Sequence, residues 1–149
     1  MLQSIDAGLK KTQALILAPT RELAKQIQRV IQCLGEFMNL TVHCSTGGTN
    51  IAAERRALKE GQQIIVGTPG RVLDMISKGF MKLESLKLFI LDEADEILGR
   101  GFQEDIDEIF AQLPGDLQIC LFSATMPPYI LEITQQFMRD PATILVKKE

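Results

Sequence analysis

Leu88-Phe89-Ile90-Leu91-Asp92-Glu93-Ala94-Asp95 places four apolar residues directly before three acids. The apolar part is too short for a helix and suits a strand buried on both faces. Two adjacent carboxylates at the end of such a strand suit a magnesium–nucleotide site. A strand-end aspartate can hold Mg²⁺, usually through water, because the ion keeps much of its hydration shell. The glutamate beside it can orient or deprotonate an attacking water. The same residues also suit an acidic helix N-terminus stabilised by the helix dipole. The octapeptide alone leaves both readings open.

Outward from this stretch the pattern repeats. Residues 14–18, 41–46, 64–67, 119–122 and 143–146 also read as strands. Helical spacing fills the intervals, as with Leu23, Ile27, Val30, Ile31 and Leu34 after the capping residue Thr20. Residues 50–61, 71–77 and 103–113 read as further helices, and Pro127-Pro128 opens a last one. Strands alternating with helices imply an α/β fold, a parallel sheet with helices on both faces. Right-handed crossovers make the strands point one way. Pro19-Thr20-Arg21, Gly47-Gly48, Thr68-Pro69-Gly70-Arg71, Asp92 to Asp95, and Ser123-Ala124-Thr125 each follow a strand. All must then collect along the carboxyl edge, where open α/β sheets bind ligands.

Composition narrows the classes. The 149 residues are 46% hydrophobic, which supports a folded domain with a real core. The net charge of −3 excludes a protein that coats nucleic acid non-specifically; any nucleic-acid site must be local. Cys33, Cys44 and Cys120 have no metal-ligand spacing and read as buried, reduced thiols of an intracellular protein. His43 is the single histidine, so no zinc cluster can be assembled, and its place in a strand pattern suits a structural role. No secretory signal is visible, and no apolar run approaches the roughly 20 residues that span a membrane.

Asp92-Glu93-Ala94-Asp95 resembles the signature of the DEAD-box RNA helicases. Pro19-Thr20-Arg21-Glu22-Leu23-Ala24, Gly47-Gly48, Thr68-Pro69-Gly70-Arg71 and Ser123-Ala124-Thr125 resemble that family's other motifs, in the same order. Arg100-Gly101-Phe102 follows the acidic motif as it does there. The resemblance covers essentially the whole chain and implies a RecA-like fold, with residues 1–149 forming part of the first motor domain. Within the family the finer likeness is to the translation initiation factor 4A group and its nuclear relative. It rests on residues 12–17, on Gly47-Gly48-Thr49-Asn50, on residues 65–71 and on residues 144–148.

The resemblance implies a role for each matched residue. Asp92 would help hold the Mg²⁺ of ATP, and Glu93 would position the hydrolytic water. Asp95 would hydrogen-bond toward Ser123 or Thr125, tying the nucleotide side to the RNA side. Thr20, Arg21, Gly47, Gly48, Thr68, Gly70 and Arg71 would cradle the RNA backbone, with Pro19, Arg100, Gly101 and Phe102 at the same surface. Helix N-termini, glycine-permitted close approach and arginine all suit phosphate without reading sequence. The implied partners are single-stranded or short duplex RNA, ATP, the second helicase domain and translation initiation scaffold proteins. The implied location is the cytoplasm, or the nucleus for the nuclear relative.

The family's phosphate loop is not found: the chain has no Gly-x-x-x-x-Gly-Lys-[Ser/Thr], and Lys10-Lys11-Thr12 lacks the glycines in front of it. In the family that loop, its strand and the adenine-recognition motif precede the segment that starts here at Met1. The second motor domain is likewise expected to lie beyond Glu149. The isolated chain is therefore expected to lack useful ATP affinity and ATPase activity. A sheet without that strand is expected to self-associate, to displace residues 143–146, or to be marginally stable. The alternative to a piece of a helicase is a truncated RNA- or protein-binding module without catalysis.

Overall fold

The computed structural model describes residues 1–146. Its core is a sheet of β1 (Ala14–Leu17), β2 (Val42–Ser45), β3 (Ile64–Gly67), β4 (Leu88–Leu91) and β5 (Gln118–Leu121). The order is β2-β3-β1-β4-β5, and every pair is parallel. The expected RecA-like α/β architecture is thus present. β1 lies in the middle with all four residues buried, which is why its sequence is continuously apolar.

Alternation along the strands divides the core in two. Leu15, Leu17, Ile65, Phe89 and Leu91 face one side. There they meet α3 (Pro69–Ser77), α4 (Ala94–Gly99), α5 (Gln103–Ala111) and α6 (Pro128–Phe137) through Met75, Ile97, Ile109 and Ile130. Ala14, Ile16, Ile64, Val66 and Leu88 face the other side and meet α1 (Arg21–Leu34) through Ala24 and Ile31. Each fully buried Leu or Phe contributes about 1.5–3 kcal/mol by leaving water. α2 (Ile51–Glu60) lies beside the edge strand β2.

The cap at Thr20 follows its sequence signal, and Asn50 adds a second. Thr20 Oγ1 accepts from the Leu23 amide at 3.1 Å, and Asn50 Oδ1 accepts from the Ala53 amide at 3.0 Å. Gly35 ends α1 and Gly61 ends α2.

Three expectations need correction. Residues 143–146 form no strand, and Ile144, Leu145 and Val146 are 90%, 74% and 91% exposed. β-propensity alone does not hold a strand; it needs a neighbouring ladder to satisfy its backbone. The outer edge of β5 has no partner among the described residues and faces a groove of about 860 Å³, lined by Phe110, Ile119, Leu121, Phe137 and Ile144. The finer resemblance at Lys147 and Lys148 lies outside the described residues. Second, Cys33 is exposed, because it falls on the opposite face of α1 from Ile31; Cys44 and Cys120 are half-buried. Third, Val30 and Leu34 flank the line through Ala24 and Ile31 and remain in solvent. No helix of the described residues is long and apolar enough to cross a membrane.

Candidate functional site

The parallel sheet delivers every polar cluster to one rim. Thr20, Thr46, Thr68, Asp92 and Phe122 lie at or just beyond the ends of β1 to β5. Along this rim the sites divide into an acidic half, at β4 and β5, and a basic half, at β1, β2 and β3.

In the acidic half, the Asp92 amide donates to Leu17 O at 2.9 Å, which fixes the strand end. Asp92 Oδ1 accepts from the Glu93 amide at 3.0 Å, and its other oxygen has no protein partner among the described residues. Glu93 is exposed and adopts a left-handed backbone, φ 49° and ψ 52°, to turn the chain from β4 into α4. A non-glycine residue at this conformation is strained by about 1–2 kcal/mol. Among the described residues no three His, Cys, Asp or Glu side chains converge as a metal-binding group. A magnesium ion at Asp92 would thus take most of its oxygens from water and nucleotide, which suits the chemistry of a hard, strongly hydrated cation.

Asp95 closes the acidic half onto the loop after β5. Its Oδ2 accepts from the Thr125 hydroxyl at 2.8 Å and from the Thr125 amide at 3.0 Å. Its own amide donates to Ser123 Oγ at 3.2 Å, and Ser123 Oγ donates to Thr125 O at 2.6 Å. Burial pushes the Asp95 carboxyl upward, but hydrogen bonds led by Thr125 outweigh it and hold the group below the ordinary aspartate value. The expected tie between the acidic motif and the Ser123-Ala124-Thr125 loop is therefore made at both hydroxyl residues.

In the basic half, Pro19, Thr20, Arg21, Gly47, Thr68, Gly70, Arg71, Arg100 and Phe102, with the single acid Glu22, line one shallow depression of about 440 Å³. Residues from four separate stretches of sequence meet there. Gly48 joins through Arg21: a Cβ built on Gly48 would lie 2.7 Å from Arg21 Nη1, and φ there is +81°. The positive φ calls for glycine, while the contact means that a Cβ would displace the Arg21 guanidinium. Gly101 turns the chain ahead of Phe102 and does not line the depression. Arg21 is exposed, whereas the Arg71 side chain is only 10% exposed.

Sequence reasoning missed Glu54. It sits on α2, is buried, and offers Oε2 to Arg71 Nη1 at 2.6 Å and Oε1 to His43 Nε2 at 3.0 Å. Burial pushes its carboxyl up, while the polar hydrogens of His43, Ser45 and Arg71 around it bring the balance below the ordinary glutamate value. A charged residue in a polar helix carries no periodic mark of burial, so the pattern gave no signal. His43 fills the structural role expected of it, as a partner of Glu54.

The sheet and its rim define a RecA-like domain of the helicase class. The model of the family described as DEAD/DEAH box helicase matches residues 1–133, and the chain belongs to that family. It is 56% identical over 149 residues to the "ATP-dependent RNA helicase eIF4A" of Pyricularia oryzae, covering 100% of this chain and 38% of that one. It is 55% identical to the "Eukaryotic initiation factor 4A" of Drosophila melanogaster, covering 100% of this chain and 37% of that one. Among solved structures, a DEAD box protein from Methanococcus jannaschii superposes with a TM-score of 0.90 at 42% identity, covering 93% of this chain and 38% of that one. Saccharomyces cerevisiae Dbp5, in a structure bound to Nup159, Gle1, IP6 and ADP, gives 0.83 at 32% identity, covering 93% and 36%. The chain thus spans less than two fifths of the length of these relatives.

Proposed function

We propose that this chain is the RNA-facing and magnesium-facing part of the first motor domain of an ATP-dependent RNA helicase of initiation factor 4A type. The complete enzyme would couple ATP binding and hydrolysis to RNA binding and local duplex unwinding. The observation that carries the reading is the rim: the acidic motif and the arginine–glycine depression end neighbouring strands of one sheet, with Asp95 bonded across to the loop after β5.

The residues divide the work. Asp92, through water, and Glu93 beside it would face the magnesium ion of bound ATP, which supplies charge neutralisation at the phosphates. Glu93, exposed at a strained turn, is free to orient a water. Asp95, Ser123 and Thr125 would link the state of that half to the strand-end loops. Thr20, Arg21, Gly47, Gly48, Thr68 and Gly70 would hold the RNA backbone without reading bases, and 2′-hydroxyls would favour RNA over DNA. Arg100, Gly101 and Phe102 would close one end of that surface. Full activity would need a phosphate loop and a second motor domain, neither of which the 149 residues contain. A cytoplasmic setting, with initiation scaffold proteins as partners, belongs to the same proposal.

Two titrations test this. The 149-residue chain should bind a labelled single-stranded RNA at low salt, more weakly after Arg21→Ala, and should show no heat with Mg–ATP in calorimetry. Failure to bind RNA at all removes the RNA reading. Micromolar Mg–ATP affinity removes the placing of the phosphate grip outside these residues.

A further inference from the structure

The two arginines of the basic half are not equivalent. Arg21 is exposed, lies over Gly47 and Gly48, and makes no ion pair among the described residues. Arg71 has its guanidinium engaged inside the protein. Nη1 donates to Glu54 Oε2 at 2.6 Å and to Thr49 Oγ1 at 3.2 Å, and Nη2 donates to Thr49 O at 3.1 Å. Thr49 Oγ1 in turn donates to Thr46 O at 3.0 Å. These bonds clamp the turn from Thr46 to Asn50, which carries Gly47 and Gly48, onto the first turn of α3. The anchor is Glu54, whose side chain is 2% exposed and whose second oxygen is held by His43 at 3.0 Å.

We propose that Glu54 and Arg71 form a positioning pair, and that Arg71 holds the Gly47-Gly48 turn against Arg21 without itself contacting an RNA phosphate. The inference rests on the RNA reading above and assigns distinct roles to two arginines that the resemblance groups together. The physical reason is the state of the carboxylate. Swinging Arg71 outward to a phosphate would leave Glu54 in the interior with only His43 and the Ser45 hydroxyl beside it, and a buried charge stripped of its cationic partner is costly. Keeping Arg71 inward leaves the phosphate contacts to Arg21 and to backbone amides at glycines, which need no side chain to move. Lys would not replace Arg71, because the clamp uses two guanidinium nitrogens on separate acceptors.

Salt dependence separates positioning from contact. On single strands each neutralised phosphate contributes about −0.7 to the slope of log K against log salt. Anisotropy titrations of the 149-residue chain with fluorescein-labelled oligouridine, over a range of KCl, are to be run on wild type, Arg21→Ala, Arg71→Ala, Arg71→Lys, Glu54→Gln and Thr49→Val. Arg21→Ala is expected to flatten the slope by about 0.7. Arg71→Ala, Arg71→Lys and Glu54→Gln are expected to weaken binding by about tenfold, the scale of a lost charge-assisted hydrogen bond, with the wild-type slope retained. Thr49→Val, which removes one acceptor of Arg71 and the hydroxyl's own bond to Thr46 O but leaves the Arg71–Glu54 pair, gives a smaller loss at the same slope and serves if the Glu54 variant does not fold. A slope flattened by one phosphate in Arg71→Ala, or binding restored by Arg71→Lys, overturns the proposal while leaving the RNA reading intact. Wild-type chain that binds no RNA removes that reading, and the proposal with it.

Discussion

Asp95 Oδ2 receives two hydrogen bonds from Thr125, from its hydroxyl at 2.8 Å and its amide at 3.0 Å. Thirty residues apart in sequence, the two are brought together only because β4 and β5 are neighbours in the sheet. The bond makes the loop after β5 and the acidic turn after β4 one unit.

That unit should show as an energetic coupling. Asp95→Ala and Thr125→Ala are each expected to destabilise the chain, and the double variant to lose less than the sum. A coupling of about 0.5–1.5 kcal/mol is expected in a urea-unfolding double-mutant cycle. Strict additivity would mean the bond is not formed in solution.

Glu93 carries the opposite signature, strain at φ 49°. Replacing it by glycine removes the steric penalty, of about 1–2 kcal/mol, and adds back some unfolded-state entropy, so the net effect is a small gain in stability. Glu93→Gly should melt at or above wild type although a site carboxylate is gone. A fall in the melting temperature would contradict the left-handed turn.

Gly48 lies at φ +81° under the Arg21 guanidinium. Gly48→Ala is expected to cost about 1–2 kcal/mol from the left-handed backbone alone. It should also push Arg21 off the turn, and so lower RNA affinity in the same titrations. Gly79, also at positive φ but with nothing near its missing Cβ, serves as the control: Gly79→Ala should lose stability without losing RNA affinity.

Acid should act through Glu54. Its folded value lies below the ordinary 4.5, so the group adds stability above the unfolded value and loses it as pH falls through the folded one. Urea midpoints of the wild type are expected to fall as pH drops below about 4.5. Glu54→Gln should start lower at neutral pH and decline less steeply. Asp95, also held below its ordinary value, leaves a residual slope in that variant.

The edge of β5, unpaired among the described residues, and the exposed Ile144, Leu145 and Val146 predict concentration-dependent self-association of the isolated chain. Light scattering should show it, and Ile144→Lys with Val146→Lys should reduce it. A monomer at all concentrations would show the edge to be harmless.

Much of this was legible in the chain. The apolar runs at β1, β3 and β4 read as buried strands because each is short, continuous and followed by turn residues. The parallel arrangement followed from helices between them, and the common rim followed from the parallel arrangement. Thr20 announced its helix as a cap. The strand expected at residues 143–146 did not form although the β5 edge lies nearby: a strand's hydrogen bonds are made with another segment, and propensity does not decide that docking. The exposure of Cys33 and the burial of Glu54 were equally illegible: both lie on helices whose polar faces are decided by what they pack against.

Local chemistry, then, was written in the sequence: where strands stop, which residues follow them, and that these residues must share an edge. The tertiary structure alone decided which of them pair, because hydrogen-bond partners such as Asp95 with Thr125, or Arg71 with Glu54, are set by strand order and helix docking. Those depend on the whole core, and a linear pattern holds no record of a distance between residues far apart along it.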